Sequence, residues 1–256
     1  MFVTLLRKEI LENRRTHRLL ILSVVLLVFG MLSPVVARFT PEIIRMAAGD
    51  GADTDVLMQL IADPTVIDAV DQYLKNLTQI GMLVLVLLAM GLVAGEKDRK
   101  TAVLLLVRPV RRSDFLMAKF SAFALSLCLC LAASGLLCFL YTGLLFGEWL
   151  DAPAFAAING LMLLYLLVPT TLTFFGSTIS RNSVLAACIG LGGWMALNLL
   201  GSINPLRDYM PGRLSAAAAG LARGMPFDAW TAVLTSLALI IVCLICAAGI
   251  FQKQEL

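Results

Sequence analysis

Six long runs of apolar residues limit what this chain can fold into. None of them contains Asp, Glu, Lys or Arg, and they cover residues 19–37, 78–95, 120–146, 155–178, 184–203 and 229–251. A helix of about 20 apolar residues crosses the roughly 30 Å hydrocarbon layer of a bilayer, and lipid offers no partners for open backbone groups. The runs therefore predict an all-α, polytopic membrane protein with six transmembrane helices.

Charge is scarce in this chain and is concentrated between the apolar runs. Only 14% of the 256 residues are charged, whereas soluble domains carry about a quarter. The runs do not alternate apolar and polar residues, which excludes the strands of an outer-membrane barrel. We find no repeat of fixed period and no low-complexity linker, so residues 1–256 are predicted to form a single transmembrane domain.

The basic residues predict how the chain is oriented in the membrane. Fourteen of the 20 lysine and arginine residues lie in one alternate set of connecting segments, and six lie in the other. The first set is 1–18, 96–119, 179–183 and 252–256, and the second is 38–77, 147–154 and 204–228. Because loops rich in Lys and Arg stay inside, we expect both termini to be cytoplasmic. The expected location is the cell inner (cytoplasmic) membrane.

The first 18 residues have the pattern of an amphipathic helix. Phe2, Leu6 and Ile10 recur at helical spacing, and charged residues fill most of the positions between them. This pattern predicts an interfacial helix that lies along the membrane surface before the first span. The alternative is a solvated basic tail.

The predicted outside loop, 38–77, is acidic and contains a signal for a helix start. Asp63 is followed by Pro64, which is typical of an N-cap and a first helical residue. Apolar residues then recur at helical spacing as far as Leu77. We expect a short outside helix that runs into the second span.

The fifth run carries small residues at Ala186 and Gly190, a spacing that lets a neighbouring helix approach closely. That neighbour is either another helix of the same bundle or a helix of a second subunit. Near the outer end of this run, Asn198, Asn204 and Arg207 face either a polar cavity or the membrane interface.

The inside loop 96–119 is more specific than an anchoring loop requires. A charged start is followed by seven residues, 101–107, that are mostly apolar and too few to span a membrane, and Pro109 then stops the helix. The pattern predicts a short helix at the cytoplasmic face whose apolar side fits a groove on a partner. Its arginines would meet acidic residues or lipid phosphates. The alternative is an ordinary positive-inside anchor.

Seven residues of this loop carry a resemblance to a known family. They are Glu96, Thr101, Leu104, Leu105, Pro109, Arg112 and Lys119. In type and order they resemble the signature of the ABC-2 type permeases, the membrane subunits of ATP-driven exporters. The interfacial start, the six spans and the inside termini extend the likeness over nearly the whole chain. Lys100 and Ala118 stand where that family usually has glycine.

The resemblance implies a permease that couples to a separate ATP-binding-cassette ATPase. Residues 97–107 would form the coupling helix, and the residues expected to bind the ATPase are Glu96, Lys97, Arg99, Thr101, Leu104, Leu105, Arg108, Pro109 and Arg112. A second permease copy, identical or similar, completes the expected assembly, and export is the expected direction. The substrate is not readable from the sequence.

The chain itself is not expected to be an enzyme. It contains no G-x-x-x-x-G-K-[ST] phosphate loop, so ATP and Mg would bind to the partner ATPase. We expect the chain to bind no cofactor of its own and no nucleic acid. Its expected partners include membrane lipid.

Other classes of membrane protein lack their required residues here. No ionisable residue that could couple transport to an ion or a proton lies near the centre of a span. The spans also contain no His and no paired carboxylates, which an intramembrane protease would need. The only histidine is His17, which excludes paired-histidine haem in the bilayer. Cys243 and Cys246 share a helix face, but two thiols do not complete a metal site, so no metal is predicted. The remaining alternative is a non-transporting scaffold or signalling subunit.

Overall fold

The computed structural model describes residues 2–48, 63–98, 112–180 and 182–254, and these residues form helices without any strand. Six helical segments have the length and composition to cross a membrane. They are Arg18–Met46, Val66–Asp98, Arg112–Phe146, Ala152–Ile179, Ser183–Gly201 and Trp230–Lys253. The predicted all-α class with six membrane-spanning helices is confirmed.

The helices, numbered in chain order over the described residues, are as follows. They are α1 Phe2–Arg15, α2 Arg18–Ala48, α3 Val66–Asn76, α4 Met82–Met90, α5 Ala94–Asp98, α6 Arg112–Phe146, α7 Ala152–Ile179, α8 Ser183–Gly201, α9 Gly212–Ala222 and α10 Trp230–Lys253. A π-helical turn, Leu77–Gly81, joins α3 to α4, and a 3-10 turn, Arg207–Tyr209, lies between α8 and α9.

The first span is longer than the predicted 19–37. Helix α2 continues through Pro34 and Pro41 as far as Ala48, so the first part of the predicted outside loop is helical. Hydropathy marks where a helix leaves lipid, and it does not mark where the helix ends. A tight turn at His17, whose φ is 59°, separates α2 from the predicted interfacial helix α1.

A helix is present where the short outside helix was predicted, and it runs into the second span through the π-helical turn. It starts two residues later than expected, and its position outside the membrane stays a prediction. Its N-cap is Thr65. The Asp68 carboxylate reaches back and accepts hydrogen bonds from the backbone N–H of Thr65 at 2.8 Å and from its hydroxyl at 2.7 Å. This reciprocal cap outcompetes the predicted cap at Asp63, and Pro64 lies before the helix.

Helix α6 extends over residues that were predicted to be loop. It is helical from Arg112, so the last eight residues of the predicted loop 96–119 belong to this helix. At its centre the Ser134 hydroxyl donates to the carbonyl of Leu26 on α2. Gly30 makes this contact possible, because a Cβ there would lie 2.3 Å from the Ser134 carbonyl oxygen.

Helix α7 is the centre of the bundle and packs against α4, α8, α9 and α10. Its contact with α8 depends on glycine. A Cβ on Gly190 would lie 2.0 Å from Thr173 Oγ1, and a Cβ on Gly176 would lie 2.8 Å from the Ala186 carbonyl oxygen. Of the two explanations for the small residues of the fifth span, close packing within one bundle is the one observed.

The outer surface of the helices is apolar. Side chains such as Leu129, Leu144, Leu199 and Ile245 are more than 60% exposed. An apolar belt of this kind is unfavourable in water and is what a lipid bilayer covers. The core and the surface of this molecule are therefore equally apolar, and helix association must come from close packing and hydrogen bonds.

A matched pair of glycine substitutions tests this packing. We expect Gly190→Ala to lower the free energy of unfolding by about 1–3 kcal/mol, because the new methyl group forces α7 and α8 apart. Gly192→Ala, two residues away, has no heavy atom within 4 Å of the new Cβ and should be neutral or slightly stabilising. Unfolding in a titration of denaturing detergent measures both. Equal stability of the two variants would contradict the packing model.

Candidate functional site

A buried lysine lies near the start of α6. Lys119 is 1% exposed, and its ammonium group contacts carboxylates from two other helices. Its Nζ atom lies 2.6 Å from Glu9 Oε2 on α1 and 2.7 Å from Glu96 Oε1 on α5. Glu12 Oε1 follows at 3.9 Å. One side chain thus joins the interfacial helix, the end of the second span and the start of the third.

A second lysine completes what we call the glutamate–lysine cluster: Lys8, Glu9, Glu12, Glu96 and Lys119. Lys8 Nζ lies 3.0 Å from Glu9 Oε1 and 2.8 Å from Glu12 Oε2. Burial by itself would raise the pKa of Glu12, but the charges of Lys119 and Lys8 outweigh it and lower the pKa of this carboxyl. Burial by itself would lower the pKa of Lys8, but the hydrogen bonds and charges of Glu12 and Glu9 outweigh it and raise this pKa above its usual value. The cluster therefore holds these two groups in their charged forms.

Removing a lysine ammonium from water costs several kcal/mol, and only close, well-oriented partners offset that cost. Lys119 has two carboxylates within hydrogen-bond distance and also lies 5.2 Å from the centre of the Phe115 ring. The ring face adds a cation–π contact. These three contacts hold the ammonium group in one position between α1, α5 and α6.

The carboxylates of Glu9, Glu12 and Glu96 also resemble a cation site. One oxygen from each lies within 4.8 Å of the other two. However, the ammonium group of Lys119 contacts two of these carboxylates directly and takes the place that a cation would occupy. The arrangement is thus a set of ion pairs rather than a set of metal ligands.

The turn that carries the chain from α4 to Glu96 is held from both sides. Ser177 on α7 accepts hydrogen bonds from the backbone N–H groups of Val93 at 3.1 Å and Ala94 at 2.8 Å, and it donates to the carbonyl of Met90 at 2.8 Å. Arg18 on α2 donates to the carbonyl of Gly91 at 2.9 Å. These bonds satisfy carbonyl groups that the end of α4 leaves open and N–H groups at the start of α5.

The chain's last described residue, Gln254, contacts both ends of the loop that joins α5 to α6. Its side-chain oxygen accepts a hydrogen bond from Lys97 Nζ at 2.7 Å, and its backbone carbonyl accepts one from Arg112 at 2.5 Å. Its side-chain amide donates to the carbonyl of Thr178 on α7 at 3.1 Å. We call Lys97 and Arg112 the loop stems. The N-terminal helix and the C-terminal residues therefore meet at one end of the bundle.

Three of the nine predicted coupling residues are described, and they lie at this end of the bundle. Glu96 belongs to the glutamate–lysine cluster, and Lys97 and Arg112 are the loop stems. The other six lie outside the described residues: Arg99, Thr101, Leu104, Leu105, Arg108 and Pro109. Their role stays a prediction.

Sequence reasoning did not assign a role to Glu9, Glu12, Ser177 or Gln254. One signal was present, since Lys119 directly precedes a run of 27 uncharged residues and a charge at that depth needs a partner. Acidic residues one turn apart on a helix near the same membrane face, such as Glu9 and Glu12, were the candidates. Ser177 and Gln254 carried no comparable signal.

Comparison with known proteins agrees with this architecture. A model of the ABC-2 family transporter proteins matches residues 3–205, which is most of the chain. The chain belongs to this family of membrane transport subunits. It is also similar to the uncharacterized transmembrane protein YxlG of Bacillus subtilis (strain 168), with 29% identity over 203 residues, 79% of this chain and 77% of that protein. The chain is thus a multi-pass membrane protein and a permease of the ABC transporter class.

Substitution of Lys119 tests the glutamate–lysine cluster. Lys119→Met leaves two carboxylates facing an apolar core, and we expect a loss of about 3–5 kcal/mol in the free energy of unfolding. Adding Glu9→Gln should recover part of that loss. Lys8→Met is the control, because Lys8 is 38% exposed and should cost about 1 kcal/mol or less. Titration with denaturing detergent measures all three, and a Lys119→Met variant as stable as Lys8→Met would contradict the role assigned to the cluster.

Substitution of Gln254 tests the contacts at the loop stems. Gln254→Ala removes the side-chain bonds to Lys97 and to the Thr178 carbonyl, so we expect faster amide hydrogen exchange over α5 by about tenfold, as for loss of roughly 1.4 kcal/mol. Gln252→Ala is the control, since no side-chain hydrogen bond of Gln252 is found among the described residues. Unchanged exchange in α5 for Gln254→Ala would show that Gln254 does not restrain the stems.

Proposed function

We propose that this chain is the membrane-spanning permease subunit of an ABC exporter. In this proposal the chain forms the substrate pathway and couples to separate ATPase subunits through the loop 96–119. The end of the bundle that carries the glutamate–lysine cluster faces the cytoplasm, so both termini are inside. The chain resides in the inner (cytoplasmic) membrane as a single permease domain.

The observation that carries this proposal is how both loop stems are attached. Before the loop, Glu96 is paired with Lys119, and Lys97 is bonded to Gln254. After the loop, Arg112 is bonded to the Gln254 carbonyl. A displacement of the loop would therefore be transmitted to α1, α6, α7 and α10 together. An anchoring loop needs no such attachment.

The mechanism follows from this division of parts. ATP and Mg bind to the partner ATPase, because the sequence contains no phosphate loop of its own. Closure of two ATPases around ATP moves the two docked loops, and the rigid stems pass that movement to the bundle. ATP shifts the equilibrium between the two access states of the permease because it binds more tightly to the closed ATPase pair.

A second permease copy, identical or similar, belongs to the proposed assembly. Its main support is membership of the family, since two ATPases need two docking loops. The outward apolar side chains of α8 and α10 agree with it, because they offer lipid or another subunit a continuous surface. The alternative function, a non-transporting scaffold or signalling subunit, would share the topology and would have no need of an ATPase.

Charged substitutions in the loop test the docking. We expect the double variant Leu104→Asp/Leu105→Asp to lose association with its ATPase by at least tenfold, since apolar anchors in a docking groove are worth 2 kcal/mol or more. The matched control is Ile43→Asp/Met46→Asp, at exposed positions toward the other end of α2. Copurification in mild detergent, with identification of any protein that carries a phosphate loop, measures association.

The outcomes separate the two functions. Loss of the ATPase from the loop variant, with retention by the control and unchanged unfolding of both, supports the permease. Equal recovery of the ATPase with both variants would refute docking through Leu104 and Leu105. A wild-type chain that brings no ATPase with it would favour the scaffold.

A further inference from the structure

A second polar region lies at the end of the bundle opposite the glutamate–lysine cluster. A cavity of about 200 Å³ opens there between the last turn of α8, the 3-10 turn Arg207–Tyr209 and the first turn of α9. Its polar lining comes from Asn198, Ser202, Arg207 and Arg213. Asn198 and Arg207 thus face a polar cavity, which is one of the two alternatives that the sequence left open, and Asn204 does not line it.

The charges of this cavity are not balanced from within. Two arginines contribute to its lining, and no acidic residue does. Arg213 Nε is buried and has no hydrogen-bond partner among the described residues. Its nearest carboxylate, on Asp208, lies 3.6 Å away and is 69% exposed, so water screens that pair. Another nitrogen of the same guanidinium, Nη2, donates a long hydrogen bond to the Asp228 carbonyl at 3.4 Å. Arg207 has no side-chain hydrogen bond or ion pair within the described ranges.

The backbone around the cavity is held in place without help from a ligand. Thr231 and Thr235 on α10 donate hydrogen bonds to the carbonyls of Asp208 at 2.9 Å and Tyr209 at 2.6 Å. These bonds fix the 3-10 turn that carries Arg207.

We propose that this cavity binds a phosphate group. The planar guanidinium group presents paired N–H donors that match phosphate oxygens. Two such groups, from Arg207 and Arg213, line the cavity. The Asn198 amide donates one N–H to the Trp194 carbonyl at 2.9 Å and keeps a second N–H. The Ser202 hydroxyl donates to the Asn198 carbonyl at 3.3 Å, so only its oxygen lone pairs are left and the charge must come from the arginines. A volume of about 200 Å³ is several times the roughly 30 Å³ that one water molecule takes, which leaves room for a phosphate with its nearest waters. A phosphate would also give the buried Arg213 Nε an acceptor.

Two sources supply this chemistry at such a position. Tyr209 and Trp230 are exposed beside the cavity, and such aromatic side chains mark the level of lipid headgroups. A phospholipid headgroup is therefore one source, and a soluble phosphate compound is the other. The proposal does not depend on the transport function above, because it uses no residue of the coupling loop and no ATPase.

The first arm of the test uses a phospholipid as the probe. The full chain is reconstituted in nanodiscs that contain phosphatidylglycerol. Native mass spectrometry then counts the lipid molecules that stay bound when the protein is released from the nanodisc. We expect Arg207→Gln and Arg213→Gln each to lower retention by about tenfold, as for one lost hydrogen bond to a charged group. Lys75→Gln, which removes an exposed cation of α3 outside the cavity, should leave retention unchanged.

The second arm uses inorganic phosphate as the probe, added to lipid-depleted protein in detergent. The readout is the shift in the thermal unfolding temperature relative to a chloride solution of equal ionic strength that contains no sulfate. A shift that the Arg207→Gln variant loses, with lipid retention unaffected, identifies a soluble phosphate compound as the ligand. Arg207→Gln breaks no contact of the described structure, so its folding is preserved even where Arg213→Gln fails to fold. Equal effects of Lys75→Gln and Arg207→Gln, or no effect in either arm, overturn the proposal.

Discussion

A lysine ammonium group at the edge of the membrane has few positions in which it is stable. Lys119 takes one of them, between the carboxylates of Glu9 and Glu96, and the rest of this end of the bundle follows from that choice. A displacement of helix α1 would take away one of the two carboxylates that this buried ammonium group contacts, which is destabilising. The start of the loop is tied to the same ammonium group. One ion-pair cluster therefore decides the relative positions of three segments that are distant in the sequence.

Away from this cluster, the helices are held by small residues and hydroxyl groups. Lipid is as apolar as the core, so burial of apolar surface does not drive helices together. Close approach at Gly30 and Gly190 supplies dispersion contacts, and Ser134 adds a hydrogen bond between α6 and α2. The bundle is thus specified by shape and by a few polar contacts, which leaves its two polar ends able to carry function.

The two ends of the bundle differ in their electrostatics. At the end with the glutamate–lysine cluster, two lysines are paired with three glutamates, and both loop stems are attached to Gln254. In the proposed function, this is the end that receives a mechanical input from the ATPase. At the other end, Arg207 and Arg213 line one cavity without an acidic residue in its lining. Such an end is suited to hold an anion. The two ends of the bundle are therefore distinguished by their charged residues, although the hydropathy of the spans does not distinguish them.

The sequence by itself determined the number of spans, their helical state and the family, because hydropathy and the loop pattern are local properties. It also indicated that an outside helix runs into the second span. It did not determine where α2 ends or where α6 begins, since hydropathy is silent once a helix leaves lipid. Only the tertiary structure decided that Glu9 pairs with Lys119 and that Gln254 joins both loop stems. These partners are 110 and more than 140 residues apart in the chain, and no local pattern encodes which side chains the folded bundle brings together.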